Sequence, residues 1–158
     1  EESCAGVKIE LVVRGICCLK AGVPGLSENI TVHSIVGNFL EHARIFYFEN
    51  GGSPEVYMGS ADWMPRNLDK RVEIMFPVED PALKEQVIHI LKVQLADNVK
   101  AHILQPDGTY EKIDKRGKVL VTAQEQFCEE AVAMAKAATA RDDVHNTRVF
   151  VPSEGQGL

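Results

Sequence analysis

His42 and Arg44 stand two residues apart in the stretch FLEHARIFYFENGGSPEVYMGSADW, residues 39–63. An imidazole can donate, accept or attack phosphorus, and a guanidinium presents a planar fork of donors that fits phosphate oxygens. Glu49 follows seven residues after His42, and Gly59-Ser60 then offers backbone N–H groups and a hydroxyl beside Asp62. These side chains have the composition of a phosphate cradle. A second group lies in DWMPRNLDKRVE, residues 62–73, where Arg66, Lys70 and Arg71 face Asp62, Asp69 and Glu73. Here Arg66 or Arg71 could turn towards the same phosphate. Arg14 is a third candidate, at the end of an apolar run and just before a glycine, where ligands of open α/β sheets collect. Spacing alone leaves plainer readings open: a strand that starts at the surface with a charged pair, a salt-bridged loop, and a strand-end surface arginine.

Other chemistries find less support. No Walker loop, G-x-G-x-x-G, serine nucleophile elbow or Cys/His zinc spacing occurs. The net charge of −6 argues against a general nucleic-acid binder. Cys4, Cys17, Cys18 and Cys128 follow no disulfide or zinc pattern and read as buried, reduced thiols. His33 reads as a hydrogen-bonded structural histidine and His89 as solvated, while His102 and His145 have no functional neighbours. Trp63 reads as a core or lid residue.

These side chains must be held by an ordinary single core, which 158 residues with 45% hydrophobic content can build. No apolar stretch approaches the roughly 20 residues of a transmembrane helix, and the acidic first ten residues give secretion no support. β-Branched runs predict strands over 7–13, 30–36, 42–48 and 56–60, with His42, Arg44 and Phe46 sharing one face. Residues 62–69 are expected as a loop around Pro65, and 71–78 as a strand with Val72, Ile74 and Phe76 on one face and Arg71, Glu73 and Met75 on the other. Asp80-Pro81 is a helix start, followed by a stripe of Leu83, Val87, Ile90, Leu91 and Leu95. Pro106-Asp107-Gly108 signals a hairpin between 99–104 and 109–113. Thr122 with Glu125 opens a last helix, and a poorly ordered polar tail follows. Mixed strands and helices give an α/β or α+β layer fold.

The blocks VRGICCL, SIVGxFLEH, FENGG and SADWMPRNLDxRVE resemble the last catalytic-type domain of polyphosphate kinase, the long-chain bacterial family. The resemblance runs from about Val7 to about Glu111 and is weak after Ala123. It implies an α/β phospholipase D-like domain, a mixed sheet flanked by helices, that is incomplete at its N-terminal edge. It implies the division 1–122 for that domain, 123–140 for a C-terminal helix and 141–158 for a tail. Together with the start at Glu1, it implies a fragment of a longer enzyme.

In that family, a histidine of the preceding domain takes the terminal phosphate of ATP and passes it reversibly to polyphosphate. The resemblance implies that His42 lies across the same site and that Arg14 and His42 contact ATP. On this reading Arg44 and Arg71, together with Arg66, would orient the polyanion or the side chain of His42, with Glu73 or Asp62 fixing them. Against the wider phospholipase D pattern, Arg44 replaces a lysine, Glu49 an aspartate and Asp62 an asparagine, which weighs against phosphodiester hydrolysis. Magnesium is expected with ATP, with no dedicated metal site in this chain. The expected partners are ATP or ADP, polyphosphate, the remainder of the kinase chain and further copies in a homo-oligomer, without nucleic acid. The expected location is the cytoplasm, with peripheral association at the inner membrane as a variant. Two alternatives stand beside this reading. One is a phosphodiesterase half-site completed by a second copy; the other, for the isolated chain, is a non-catalytic assembly module.

Overall fold

Two sheets, rather than one, carry the strands among the described residues. The structure, a computed structural model, describes residues 1–140. The strands are β1 (Ile9–Val12), β2 (Ile30–Ile35), β3 (Ile45–Phe48), β4 (Glu55–Gly59), β5 (Met75–Pro77), β6 (Ala101–Leu104) and β7 (Tyr110–Lys112). The helices are α1 (Pro65–Lys70), α2 (Pro81–Ala96) and α3 (Ala123–Ala140). Two compact units divide the chain, Glu1–Gln124 and a second from Glu125 onward. The expected disorder of the tail, and His145 within it, lie outside the described residues. The mixed α/β class is as expected.

The first sheet has the order β1-β2-β6-β7. β1 and β2 are parallel, with Val12 opposite His33, and β2 and β6 are antiparallel. Val32, Leu104 and Ala21 form its core, with Leu11, Val13, Cys17 and Ile30 packed around them. The β6–β7 hairpin closes as the sequence signals: Gln105 N–H donates to Thr109 O at 2.8 Å, and Gly108 takes φ +89°, where a glycine is at ease.

The second sheet has the order β3-β4-β5, antiparallel throughout. α2 covers it through Val87, which packs on Val56 and Val78, flanked by Ile45, Met58 and Ile88. Asp80 caps α2, its Oδ1 accepting from Leu83 N–H at 2.9 Å. The buried residues of α2 are Val87, Val93 and Gln94, whereas Leu83 from the predicted stripe is exposed.

Several expectations are corrected. β3 starts at Ile45, so His42 and Arg44 lie in the lead-in segment and not on a shared strand face with Phe46. Residues 65–70 are helical: Met64 is extended and Pro65, whose ring presets φ, opens the helix. The strand expected over 71–78 shrinks to β5: the Ile74 carbonyl still accepts from the Ser60 N–H at 3.0 Å, but the Ile74 N–H goes to Ser60 Oγ and not to the strand backbone. Val72 is accordingly 98% exposed, and Ile74 and Phe76 are also exposed. Cys4, Cys18 and Cys128 are exposed and Cys17 is half-buried; all four are free. His33 is buried with its Nδ1 unpaired, and burial lowers its pKa.

One buried carboxylate ties the end of α2 to β6 and to the first residue of α3. Asp97 Oδ1 accepts from the N–H groups of Val99, Lys100 and Ala101 at 3.0, 2.8 and 3.2 Å, and its Oδ2 accepts from Ala123 N–H at 2.8 Å. Asn98 adds reciprocal bonds to Val119 and Val121. The residues just before and at the start of α3 are thereby fixed to the end of α2.

Candidate functional site

Arg14 lies two residues beyond β1 and is exposed. Its Nη1 donates to the carbonyl of Glu41 at 2.6 Å, while its own carbonyl accepts from Ser34 Oγ at 3.3 Å. Arg44 Nη1 donates to the carbonyl of the next residue, His42, at 2.8 Å. Successive carbonyls at 41 and 42 thus each hold a different guanidinium, one from just beyond β1 of the first sheet and one from the lead-in to the second. His42 itself is exposed between them.

Arg44 is fixed at its other edge by Asp62, with Nε to Oδ1 at 3.0 Å. That hydrogen bond holds the Asp62 carboxyl below its ordinary range and raises the Arg44 guanidinium, and the charges of Arg66 and Arg14 lower Asp62 further. The Gly59 N–H donates to the Arg44 carbonyl at 3.1 Å, so the end of β4 anchors this segment.

A second carboxylate organises the turn beyond Asp62. Glu73 accepts from the Ser60 hydroxyl, from Asn67 Nδ2 at 3.0 Å, and from Arg71 Nε at 3.3 Å. The Ser60 and Asn67 hydrogen bonds pull its carboxyl down, with smaller help from Arg71 and Arg44. A Cβ at Gly59 would stand 3.1 Å from the Ile74 carbonyl, so the close approach of these strands suits a glycine.

The structure therefore gathers Arg14, His42, Arg44, Asp62 and Arg66 into one neighbourhood, with Arg71 and Glu73 adjoining it. Glu49 does not join them. It follows β3 at the end where Phe48 faces Glu55, whereas Asp62 lies beyond the Ile45–Met58 end. Four residues of strand put these ends about 10–13 Å apart, and Glu49 instead takes the Tyr47 hydroxyl. Trp63 is 77% exposed and stacks on Phe46 with centroids 5.7 Å apart.

Sequence reasoning missed Asn67, Glu41, Gln94 and Gln124. Asn67 is 2% exposed, and its Oδ1 has no partner. The available signal was Pro65: read as a helix start, it puts Arg66 and Asn67 about 100° apart on α1. The glutamines carried no such signal, because their partner Glu41 is distant in sequence from both.

Among the described residues, no three of His, Cys, Asp or Glu stand together as a metal site.

Residues 1–124 match the family described as polyphosphate kinase C-terminal domain 2. The polyphosphate kinase of Lactiplantibacillus plantarum is 50% identical over 153 residues, 96% of this chain and 21% of that protein. Polyphosphate kinase 1 of Chlorobaculum tepidum is 59% identical over 123 residues, 78% of this chain and 18% of that protein. The crystal structure of polyphosphate kinase from Porphyromonas gingivalis superposes with a TM-score of 0.80 at 42% identity, covering 85% of this chain and 21% of that one. The chain spans about a fifth of the length of the curated relatives it matches. An alignment of 153 residues necessarily runs past Ala123, so the likeness extends further than the motif blocks alone indicate.

Proposed function

The chain belongs to the polyphosphate kinase family, and from that premise we propose that it forms one wall of a site that moves phosphate between ATP and polyphosphate. The observation that carries this reading is the bracketing of exposed His42 by two guanidiniums held on the carbonyls of residues 41 and 42. Phosphoryl transfer asks mainly for alignment and for positive charge on the phosphate oxygens. Four arginines (14, 44, 66 and 71) meet three carboxylates (41, 62 and 73), a local positive excess on a chain of net charge −6.

In the proposed reaction, a histidine nitrogen of a preceding domain attacks the terminal phosphorus of ATP. A nitrogen–phosphorus bond forms, the bond to the bridging oxygen breaks, and ADP leaves with that electron pair. A terminal oxygen of polyphosphate then attacks the same phosphorus and the nitrogen leaves, lengthening the polymer by one unit. Arg14 holds the nucleotide phosphates. His42 binds the transferring group and holds or moves its proton. Arg44, Arg66 and Arg71 orient the polyanion, with Asp62 fixing Arg44 and Glu73 fixing Arg71. Magnesium enters with ATP as part of the substrate, and no step assigned to this chain passes through it.

The test is polyphosphate formation from ATP and magnesium by the full-length enzyme, unaltered and with His42→Ala, circular dichroism confirming that both fold. Loss of one phosphate-binding group in such a site costs about 2–4 kcal/mol, or roughly 10²–10³-fold in turnover. Equal polymer formation by both proteins removes His42 from the chemistry. No polymer from either points to the phosphodiesterase alternative, read with a generic phosphodiester substrate. The chain alone, with one His-x-Arg pair, is proposed to be inactive; polymer formed by residues 1–158 without further protein would contradict that.

A further inference from the structure

We propose that Glu41, locked by Gln94 and Gln124, is a positioning residue that sets where Arg14 and His42 stand; the inference rests on the phosphoryl-transfer reading above. Glu41 Oε2 accepts from Gln94 Nε2 at 2.7 Å, and its Oε1 accepts from Gln124 Nε2 at 2.7 Å. Both glutamines are buried, at 9% and 8% exposure. The carbonyl of the same residue holds Arg14, and the next residue is His42. One residue thus links the core to both groups.

Gln124 has only one orientation available to it. Phe39 N–H donates to its Oε1 at 2.9 Å, while its Nε2 donates to the Phe39 carbonyl at 2.8 Å as well as to Glu41. Turning the amide over would set donor against donor and acceptor against acceptor at Phe39. Gln124 is itself placed by the Asp97 bond to Ala123 N–H. Gly37 completes the lock by leaving room, since a Cβ there would collide with Gln124 Oε1. The segment 37–42 is therefore held from the end of α2 and the start of α3, and it transmits that position to the two arginine-bearing carbonyls.

The experiment uses the full-length enzyme, with steady-state kinetics for ATP in polyphosphate synthesis. Gln124→Glu places a second carboxylate against Glu41 and the Phe39 carbonyl. The expected result is a fall of roughly tenfold or more in kcat/KM, the effect of a lost hydrogen bond to a charged group, with KM for ATP raised. Adding Glu41→Gln to that variant restores a donor facing the carboxylate introduced at position 124, and should recover a large part of the loss. Gly37→Ala perturbs the same side chain without changing charge and should also raise KM for ATP; it carries the test if Gln124→Glu folds poorly. A purely structural role lowers the amount of active enzyme and leaves KM alone, so an unchanged KM in Gly37→Ala and Gln124→Glu overturns the inference. A double variant no better than its folded single parent overturns it too. If His42→Ala loses activity while Gln124→Glu does not, the inference fails and the functional reading stands. If the unaltered enzyme makes no polyphosphate, the reading fails and takes the inference with it.

Discussion

Glu73 shows how a single carboxyl couples local structure to pH. Its folded-state pKa lies below the ordinary value because Ser60 and Asn67 donate to the charged form. A depressed acid contributes stability that is complete above its unfolded pKa, about 4.3, and lost as pH falls through the folded value. Thermal midpoints of the unaltered chain and of Glu73→Gln should therefore differ most near neutrality and converge below about pH 4. A gap independent of pH would show that packing, not the charge, sets the effect. His33 works over a different window. Its burial lowers the folded pKa, so the unfolded chain takes up the proton first, and stability falls as pH drops below about 6.5. Midpoints measured from pH 8 to 5 should show this slope in the unaltered chain and less of it in His33→Leu. The sequence made Glu73 a candidate by its place among charges. It held no sign of the unpaired Nδ1 of His33, which depends on what β1 and β6 bring alongside.

At the scale of elements, local chemistry was legible where one residue acts on its own neighbours. Asp80-Pro81 opened α2 as expected, and Asp80→Ala should cost about 1 kcal/mol, read as a lower denaturation midpoint at unchanged slope. A midpoint within error of the unaltered chain would deny the cap any weight. The hairpin at Pro106-Asp107-Gly108 was legible for the same reason, since a turn is written in three or four adjacent residues. β3 and α1 were misjudged where distant contacts decide. The alternation from His42 onward fits a strand, yet the carbonyls at 41 and 42 are taken by arginine side chains and pairing begins only at Ile45. Pro65 marks a turn or a helix start with equal ease, and the bonds of Asn67 and Ser60 to Glu73 accompany the helical choice. The side chains gathered around His42 were legible by type and through the motif blocks, as candidates. The glutamines that hold Glu41 were not, because their bonds span 53 and 83 residues of sequence.

At the scale of the molecule, the described residues leave many large apolar side chains in water. Leu68, Val72, Ile74, Met75 and Phe76 are all between 47% and 98% exposed, around a three-residue edge strand. Exposed apolar surface beside an unpaired strand edge favours self-association. Light scattering across a concentration series should show residues 1–158 growing in mean mass above 17.4 kDa as concentration rises. A constant monomer mass would mean that this surface is tolerated in water.

The two arginines on successive carbonyls are not equivalent tenants. Arg44 is anchored to a carboxylate, whereas the acceptor of Arg14 Nη1 is a neutral peptide oxygen. An arriving phosphate must outcompete a full negative charge for the first and only a dipole for the second. If Arg14 holds the nucleotide phosphates as proposed, it is the finger that swings to meet them and Arg44 the fixed post it closes against. A phosphate that drew Arg14 away would free the Glu41 carbonyl, so its arrival would be written into the backbone one residue before His42.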